Sequence, residues 1–229
     1  MDRAIALLSG GLKSAVMLAV ERERYDVIAL HVETGCPTTA AERAAFDRLC
    51  EHHGVTERVR MEVSYLAELS PHPLFEPKAF AQTGDADLAR SLVYVPGLVP
   101  ALLDVALQCA LRHGAGRILV GACESPFADT QITLAAPDQQ REFYQIYNDL
   151  LAAIAPDTTS IVVETPLIDL SYAEIVKLGH RADAAFDCTW SCLRSPCTPC
   201  GRCPGCRTRC LAFIQAGLVD PVGETARRK

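Results

Sequence analysis

The chain has 229 residues, 49% of them hydrophobic and 22% charged, and a formal net charge of −6. That length suits one large α/β domain or a domain with a small appendage, and no apolar run approaches the ~20 residues that span a bilayer. The acidic balance argues against a nucleic-acid partner, which calls for a basic surface, and favours a small-molecule substrate. The N-terminal MDRAIALLSGG turns glycine-rich too soon for a secretory signal, so a cytoplasmic protein is expected.

In chain order, Ile5 to Leu8 reads as a first strand and Ala15 to Arg24 as a helix. Asp26 to Thr34 is a second strand, Ala40 to His53 a helix, and the alternation of Glu57 to Ser64 marks a third strand. Leu69 to Val95 is proline-bearing and aperiodic, as long active-site loops are. A helix from Val99 to Gly114 leads to a strand from Arg117 to Ala122; a second irregular stretch, Cys123 to Asp138, precedes a helix from Gln140 to Ile154. Ser160 to Ser171 holds the last strand and its exit, and Tyr172 to Gly179 a short helix. Strands alternating with helices predict an α/β fold with a doubly wound parallel sheet. From Cys188 the composition shifts to Cys, Pro, Arg and Gly, too poor in aliphatic residues for a core of its own. The expected division is an α/β domain over residues 1–184 and a tail over 185–229.

The first strand hands over to the first helix through Leu8, Ser9, Gly10, Gly11, Leu12, Lys13, Ser14 and Ala15. Glycines allow positive φ and close backbone approach, and the helix that follows aims unpaired N–H groups and a partial positive charge at the same spot. Phosphate fits there, with the Ser9 and Ser14 hydroxyls as further donors and Lys13 as a full charge. A plain Gly-Gly turn capped by Ser14 is the other reading of the same residues. His31 and Val32, in the second strand, are candidates for the nucleotide base, and a satisfied core role is the alternative for His31.

Eleven cysteines are present, seven of them between Cys188 and Cys210. Cys200, Cys203 and Cys206 are spaced C-x2-C-x2-C, and Cys192 lies upstream to close a tetrahedron. Four thiolates at ~2.3 Å fit structural Zn²⁺. Iron–sulfur ligation and disulfides are the competing readings, and Cys188, Cys197 and Cys210 are spare candidates. Gly201 and Gly205 are expected to ease the turns between ligands.

The glycine turn resembles the S-G-G-x-D-S loop of the PP-loop ATP pyrophosphatases. The tail TWSCLRSPCTPCGRCPGCRTR, Thr189 to Arg209, is similar to the T-W-S-C-Y … C-G-x-C-x-x-C-x-x-R signature of the 7-cyano-7-deazaguanine synthases within that superfamily. YVPGL at Tyr94, VGACESPF at Val120, PDQQREF at Pro137 and ETPLIDLSYAEIVKLG at Glu164 resemble further segments of those enzymes. The resemblance covers most of the chain. It implies a PP-loop fold, ATP with Mg²⁺, a 7-deazapurine acid and ammonia as reactants, zinc on Cys192, Cys200, Cys203 and Cys206, and a homodimer built on the helix from Val99 and the tail. It assigns Lys13, Ser14 and Asp138 to catalysis, and the turn from Leu8 to Ala15 with His31 and Val32 to ATP. Tyr94, Pro96, Gly97, Glu124, Phe127, Arg141 and Glu142 are placed near the substrate.

The chain departs from the pattern at four places. Lys13 stands where the loop has aspartate, so its charge either replaces part of a metal's or marks altered chemistry. Gly35-Cys36-Pro37-Thr38 replaces G-Q-R-H, Leu98-Val99 replaces R-N, and Asp138-Gln139-Gln140 replaces D-C-R. A pocket without those cations binds a carboxylated base less well. A specialised homologue on another acid or amine, a catalytically inactive nucleotide binder and a tRNA-thiolating enzyme are therefore carried as alternatives. The last needs a basic surface and a reactive cysteine, for which Cys36 and Cys123 are the candidates.

Overall fold

The computed structural model describes residues 1–70, 72–76, 94–124, 136–154 and 160–223. Phe127 and most of the two irregular stretches lie outside them. The strands are β1 (Arg3–Leu7), β2 (Asp26–Glu33), β3 (Arg58–Glu62), β4 (Arg117–Val120) and β5 (Val162–Glu164). They form one parallel sheet in the order β3-β2-β1-β4-β5. The helices are α1 (Leu12–Glu21), α2 (Thr39–His52), α3 (Tyr65–Leu69), α4 (Leu98–His113), α5 (Arg141–Ile154), α6 (Tyr172–Arg181) and α7 (Pro204–Ala216).

Alternation along β1 separates two cores, because successive side chains of a strand point to opposite faces. Ala4, Ala6 and Leu8 pack with Ala29 and Leu119 against Met17 of α1, Phe46 of α2 and Ile175 of α6. Ile5 packs with Ile28, Leu30 and Ile118 against Leu103 of α4 and Leu151 of α5. Both faces are thus covered, which is why these strands read as continuous apolar runs. β3 is the exposed edge strand, and its Arg58 and Arg60 keep that edge polar.

Two departures from the sequence pattern matter for the site. First, α1 begins at Leu12 rather than Ala15, with Gly11 as its extended cap residue (φ −84°, ψ 172°). Lys13 and Ser14 therefore stand in the first helical turn. Second, the tail contains α7, which has little amphipathic signal. Its ends are marked instead by Pro204 in the first turn and by Gly217 in the left-handed conformation (φ +70°). Ala212 and Phe213 of α7 are buried in the α1 and α2 side of the core, and a fully buried phenylalanine contributes about 2 kcal/mol there.

Candidate active site

The turn after β1 is shaped by what its glycines lack. Gly10 has φ +76°, and a Cβ on it would lie 2.6 Å from the Glu42 carbonyl oxygen and 2.9 Å from the Ala45 Cβ. The turn is thereby pressed against α2. The Ser14 hydroxyl donates to the Gly11 carbonyl at 3.0 Å, and the Gly11 N–H donates to the Ser9 hydroxyl at 3.3 Å. No side chain caps α1 at Gly11. The N–H groups of its first turn, Leu12 to Ser14, consequently have no partner within the helix and form a ready anion cradle.

Gly121, just beyond β4, packs directly on this turn: a Cβ there would be 3.1 Å from the Lys13 carbonyl carbon and 3.2 Å from the Ser14 nitrogen. Sequence reasoning missed that close approach, whose only signal was a glycine ending a strand pattern. In a sheet ordered β3-β2-β1-β4-β5 the crossover direction reverses between β1 and β4, where parallel α/β sheets open a ligand crevice. The cleft found there, about 200 Å³, is lined by Leu8, Ser9, Lys13, Ser14 and Val32 among the residues expected to meet ATP, and by Val99, Gly121, Gln139 and Tyr144 opposite. Gly10 and Gly11 shape the turn without lining the cleft. His31 points to the other face of β2, with its ring stacked on Phe46 at 5.2 Å and its Nδ1 2.8 Å from the Leu8 carbonyl oxygen.

Lys13 reaches across the cleft mouth. Its ammonium donates to Gln139 Oε1 at 3.2 Å and lies 5.6 Å from the centre of the Tyr172 ring. Burial pulls the Lys13 pKa down, but Tyr172, Cys123 and Asp138 outweigh it, and the net direction is upward. Asp138, in a short 3-10 turn over Pro137–Gln139, is buried. Burial lifts its carboxyl above the ordinary range against the pull of its own backbone, the Gln139 amide and Lys13. Lys13 and Ser14 thus line the cleft, and buried Asp138 lies within electrostatic reach of Lys13 without lining it.

The residues expected around the substrate are more scattered. Glu124 accepts from the Arg141 N–H at 3.4 Å, at the start of α5, and Arg141 pairs with Asp169. Glu142 is exposed on α5. Tyr94, Pro96 and Gly97 form the approach to α4, with Gly97 (φ +83°) as its cap residue.

In the tail, the sulfurs of Cys192, Cys200, Cys203 and Cys206 all lie within 4.8 Å of one another, with Cys192 and Cys203 4.0 Å apart. Bonds of ~2.3 Å to a central ion place tetrahedral sulfurs at comparable separations. Backbone N–H groups of Ser195 and Cys200 donate to the Cys192 sulfur, Leu193 to Cys203, and Cys203 to Cys200, at 3.3–3.4 Å. Donation from Cys203 and Cys206 drives the Cys192 thiol far down in pKa, while the same contacts push Cys203 up to about 11 and Cys206 higher. A bound cation would hold all four as thiolates, and the spacing of the group fits a metal ion. Cys197 and Cys210 are exposed, and with Cys188 they stand outside this group. Gly201 has the positive φ a turn requires. Gly205 is needed for a different reason: a Cβ would fall 2.0 Å from the Ser191 carbonyl oxygen.

The tail is tied to the nucleotide turn. The Trp190 N–H donates to the Gly10 carbonyl at 2.9 Å, and its indole donates to the Cys192 carbonyl at 2.9 Å. Buried Arg209 pairs with Asp220, donates to the Phe186 carbonyl and the Thr189 hydroxyl, and lies over the Phe213 ring. No described helix is long and apolar enough to cross a membrane.

The family model described as "Queuosine biosynthesis protein QueC" matches residues 3–217. The 7-cyano-7-deazaguanine synthase of Chlorobaculum parvum is 34% identical over 224 residues, covering 96% of this chain and 95% of that protein. The enzymes of the same name from Chlorobium phaeobacteroides (33%, 98% of each chain) and Campylobacter curvus (30%, 97% of each chain) are similar throughout. With a glycine turn at the β1/β4 crevice and four converging cysteines, the chain belongs to the QueC family.

Proposed function

We propose that this protein is an ATP-dependent C–N ligase that converts 7-carboxy-7-deazaguanine to 7-cyano-7-deazaguanine with ammonia. In the first stage the carboxylate oxygen attacks the α-phosphorus of ATP and pyrophosphate leaves; ammonia then displaces AMP from the acyl adenylate to give an amide. In the second stage the amide oxygen is activated by another ATP and departs, leaving the nitrile. A carboxylate oxygen is a poor leaving group until it carries AMP, which is why ATP is needed.

The observation that carries this reading is the unpartnered first turn of α1, opening with Lys13 onto the crevice between β1 and β4, with Asp138 buried within electrostatic reach of that lysine. Amides from Leu12 to Ser14, with the Ser9 and Ser14 hydroxyls, receive the phosphates and stabilise the departing pyrophosphate. Mg²⁺ accompanies ATP, Lys13 supplies fixed positive charge, and Asp138 acts in proton handling. By the resemblance, Tyr94, Pro96, Gly97, Glu124, Phe127, Arg141 and Glu142 are the further candidates for contact with the deazapurine. Zn²⁺ is the ion on the four cysteines, stapling the 185–229 tail to the ATP-binding unit over 1–184. The protein works in the cytoplasm, as a homodimer, without nucleic acid.

A second reading, a specialised enzyme acting on a related acid or amine, is favoured by one contact. Lys13 and Gln139 both depart from the pattern the sequence resembles, and they touch each other at 3.2 Å. Drift alone gives no reason for such departures to meet.

Both readings are tested by incubating zinc-loaded protein with ATP, Mg²⁺ and 7-carboxy-7-deazaguanine, with and without ammonium, and following AMP and the deazapurine by mass spectrometry. Acid-dependent AMP with amide and nitrile is expected. AMP with the acid but no nitrile points to the second reading, and no acid-dependent AMP overturns the synthase.

A further inference from the structure

The crevice between β1 and β4 holds one buried polar atom that this reading leaves idle. Tyr144 of α5 is only 3% exposed and lines the cleft, and its hydroxyl has no hydrogen-bond partner among the described residues. Buried hydroxyls are rarely left so. Tyr147, one turn later, shows the ordinary solution by donating to Asp104 Oδ1 at 3.1 Å. The Tyr144 ring is fixed edge-on against Phe143 at 5.1 Å. Burial raises its pKa, with Asp138 and Cys123 adding to the effect, so the group remains an O–H donor at neutral pH.

Position decides what this donor meets. The phosphate-directed groups, Ser9, Ser14 and the α1 amides, belong to the β1 side of the crevice. Tyr144 approaches from α5, with Gln139 beside it, and the walls between are apolar: Leu7, Leu30, Val99, Leu103 and Val120. The Tyr144 hydroxyl and the Lys13 ammonium both feel Asp138 and Cys123, so a flat aromatic acid in the apolar slot would turn its carboxylate to that end. We propose that Tyr144 is a specificity-determining residue whose hydroxyl donates to the carboxylate of that acid, beside the Lys13 ammonium. The inference rests on the ligase reading above. It also supplies a discrimination that reading lacks, because an O–H bond to a carboxylate is charge-assisted and one to the product nitrile is not.

The test is calorimetric titration of the full-length, metal-loaded protein and its Tyr144→Phe variant with 7-carboxy-7-deazaguanine, 7-cyano-7-deazaguanine and ATP separately, together with melting temperatures. The variant is expected to bind the acid about tenfold more weakly, to hold the nitrile and ATP unchanged, and to melt no lower, because it loses an unpartnered donor. Unchanged affinity for the acid overturns the inference, as does equal weakening for acid and nitrile, loss of ATP affinity alone, or a fall in melting temperature that tracks the binding loss. Wild-type protein that binds ATP but not the acid overturns the ligase reading and this inference with it; in every other outcome the wild type binds the acid, so the two failures are distinct.

Discussion

The nucleotide turn and the cysteine tail sit within one hydrogen bond of each other, yet they acquire their shapes by opposite means. The turn is set chiefly by main chain: Gly10 in a left-handed conformation packs against α2 and Gly121 packs against α1, the Ser9 and Ser14 hydroxyls bond back to Gly11, and the α1 amides are already aimed. The tail brings four sulfurs within 4.8 Å, a group that becomes four thiolates only when a cation joins it. One region is preorganised before its ligand arrives, and the other is organised by its ligand.

Removing the ion tests that contrast most severely. Structural zinc contributes ~10 kcal/mol or more to small sites, so prolonged chelation, or Cys203→Ser, is expected to unfold the tail. Because Trp190 anchors Gly10, ATP affinity should fall with it. Circular dichroism alongside calorimetric titration with ATP checks this, and an unchanged ATP affinity after full metal loss would separate the two regions. The reverse perturbation is milder. Gly10→Ala forces a non-glycine residue to φ +76° and a Cβ into the Glu42 carbonyl. It should cost ~1–3 kcal/mol and weaken ATP by at least about tenfold, while the metal content measured by atomic absorption stays at wild-type level.

The smallest expected effect is a pH dependence confined to the crevice. The Asp138 carboxyl is raised above 3.8 in the folded protein, by burial first. Folding thus favours its protonated form, and its contribution to stability is fully present below the unfolded pKa and lost as pH rises through the folded one. Asp138→Asn should therefore gain on the wild type as pH climbs from about 4 towards neutrality, in melting curves taken across that range. A difference that shrinks with rising pH would contradict the assigned direction.

Much of this was legible in the sequence, and the reasons differ by region. The strands announced themselves because both sheet faces are covered, so runs such as Ile5 to Leu8 are continuously apolar. The four ligands were legible because C-x2-C spacing brings consecutive sulfurs to one point. The start of α1 was not, since periodicity only begins at Ala15 while the helix is set by the backbone of Gly11. α7 was hidden because its buried residues, Cys206, Arg209, Ala212 and Phe213, are not an apolar stripe. Gly121 and Tyr144 became part of the site only through the third dimension, as did the contact between Lys13 and Gln139, a residue already marked as a departure from the D-C-R pattern. These residues are brought to Lys13 by the crossing from β1 to β4, across more than a hundred residues of chain.

The chain contains a single tryptophan, and Trp190 is held at one end by the Gly10 carbonyl and at the other by the Cys192 carbonyl. The molecule therefore carries its own optical probe, wired to both halves. Emission excited at the indole band should respond to nucleotide and to metal alike, with no label attached.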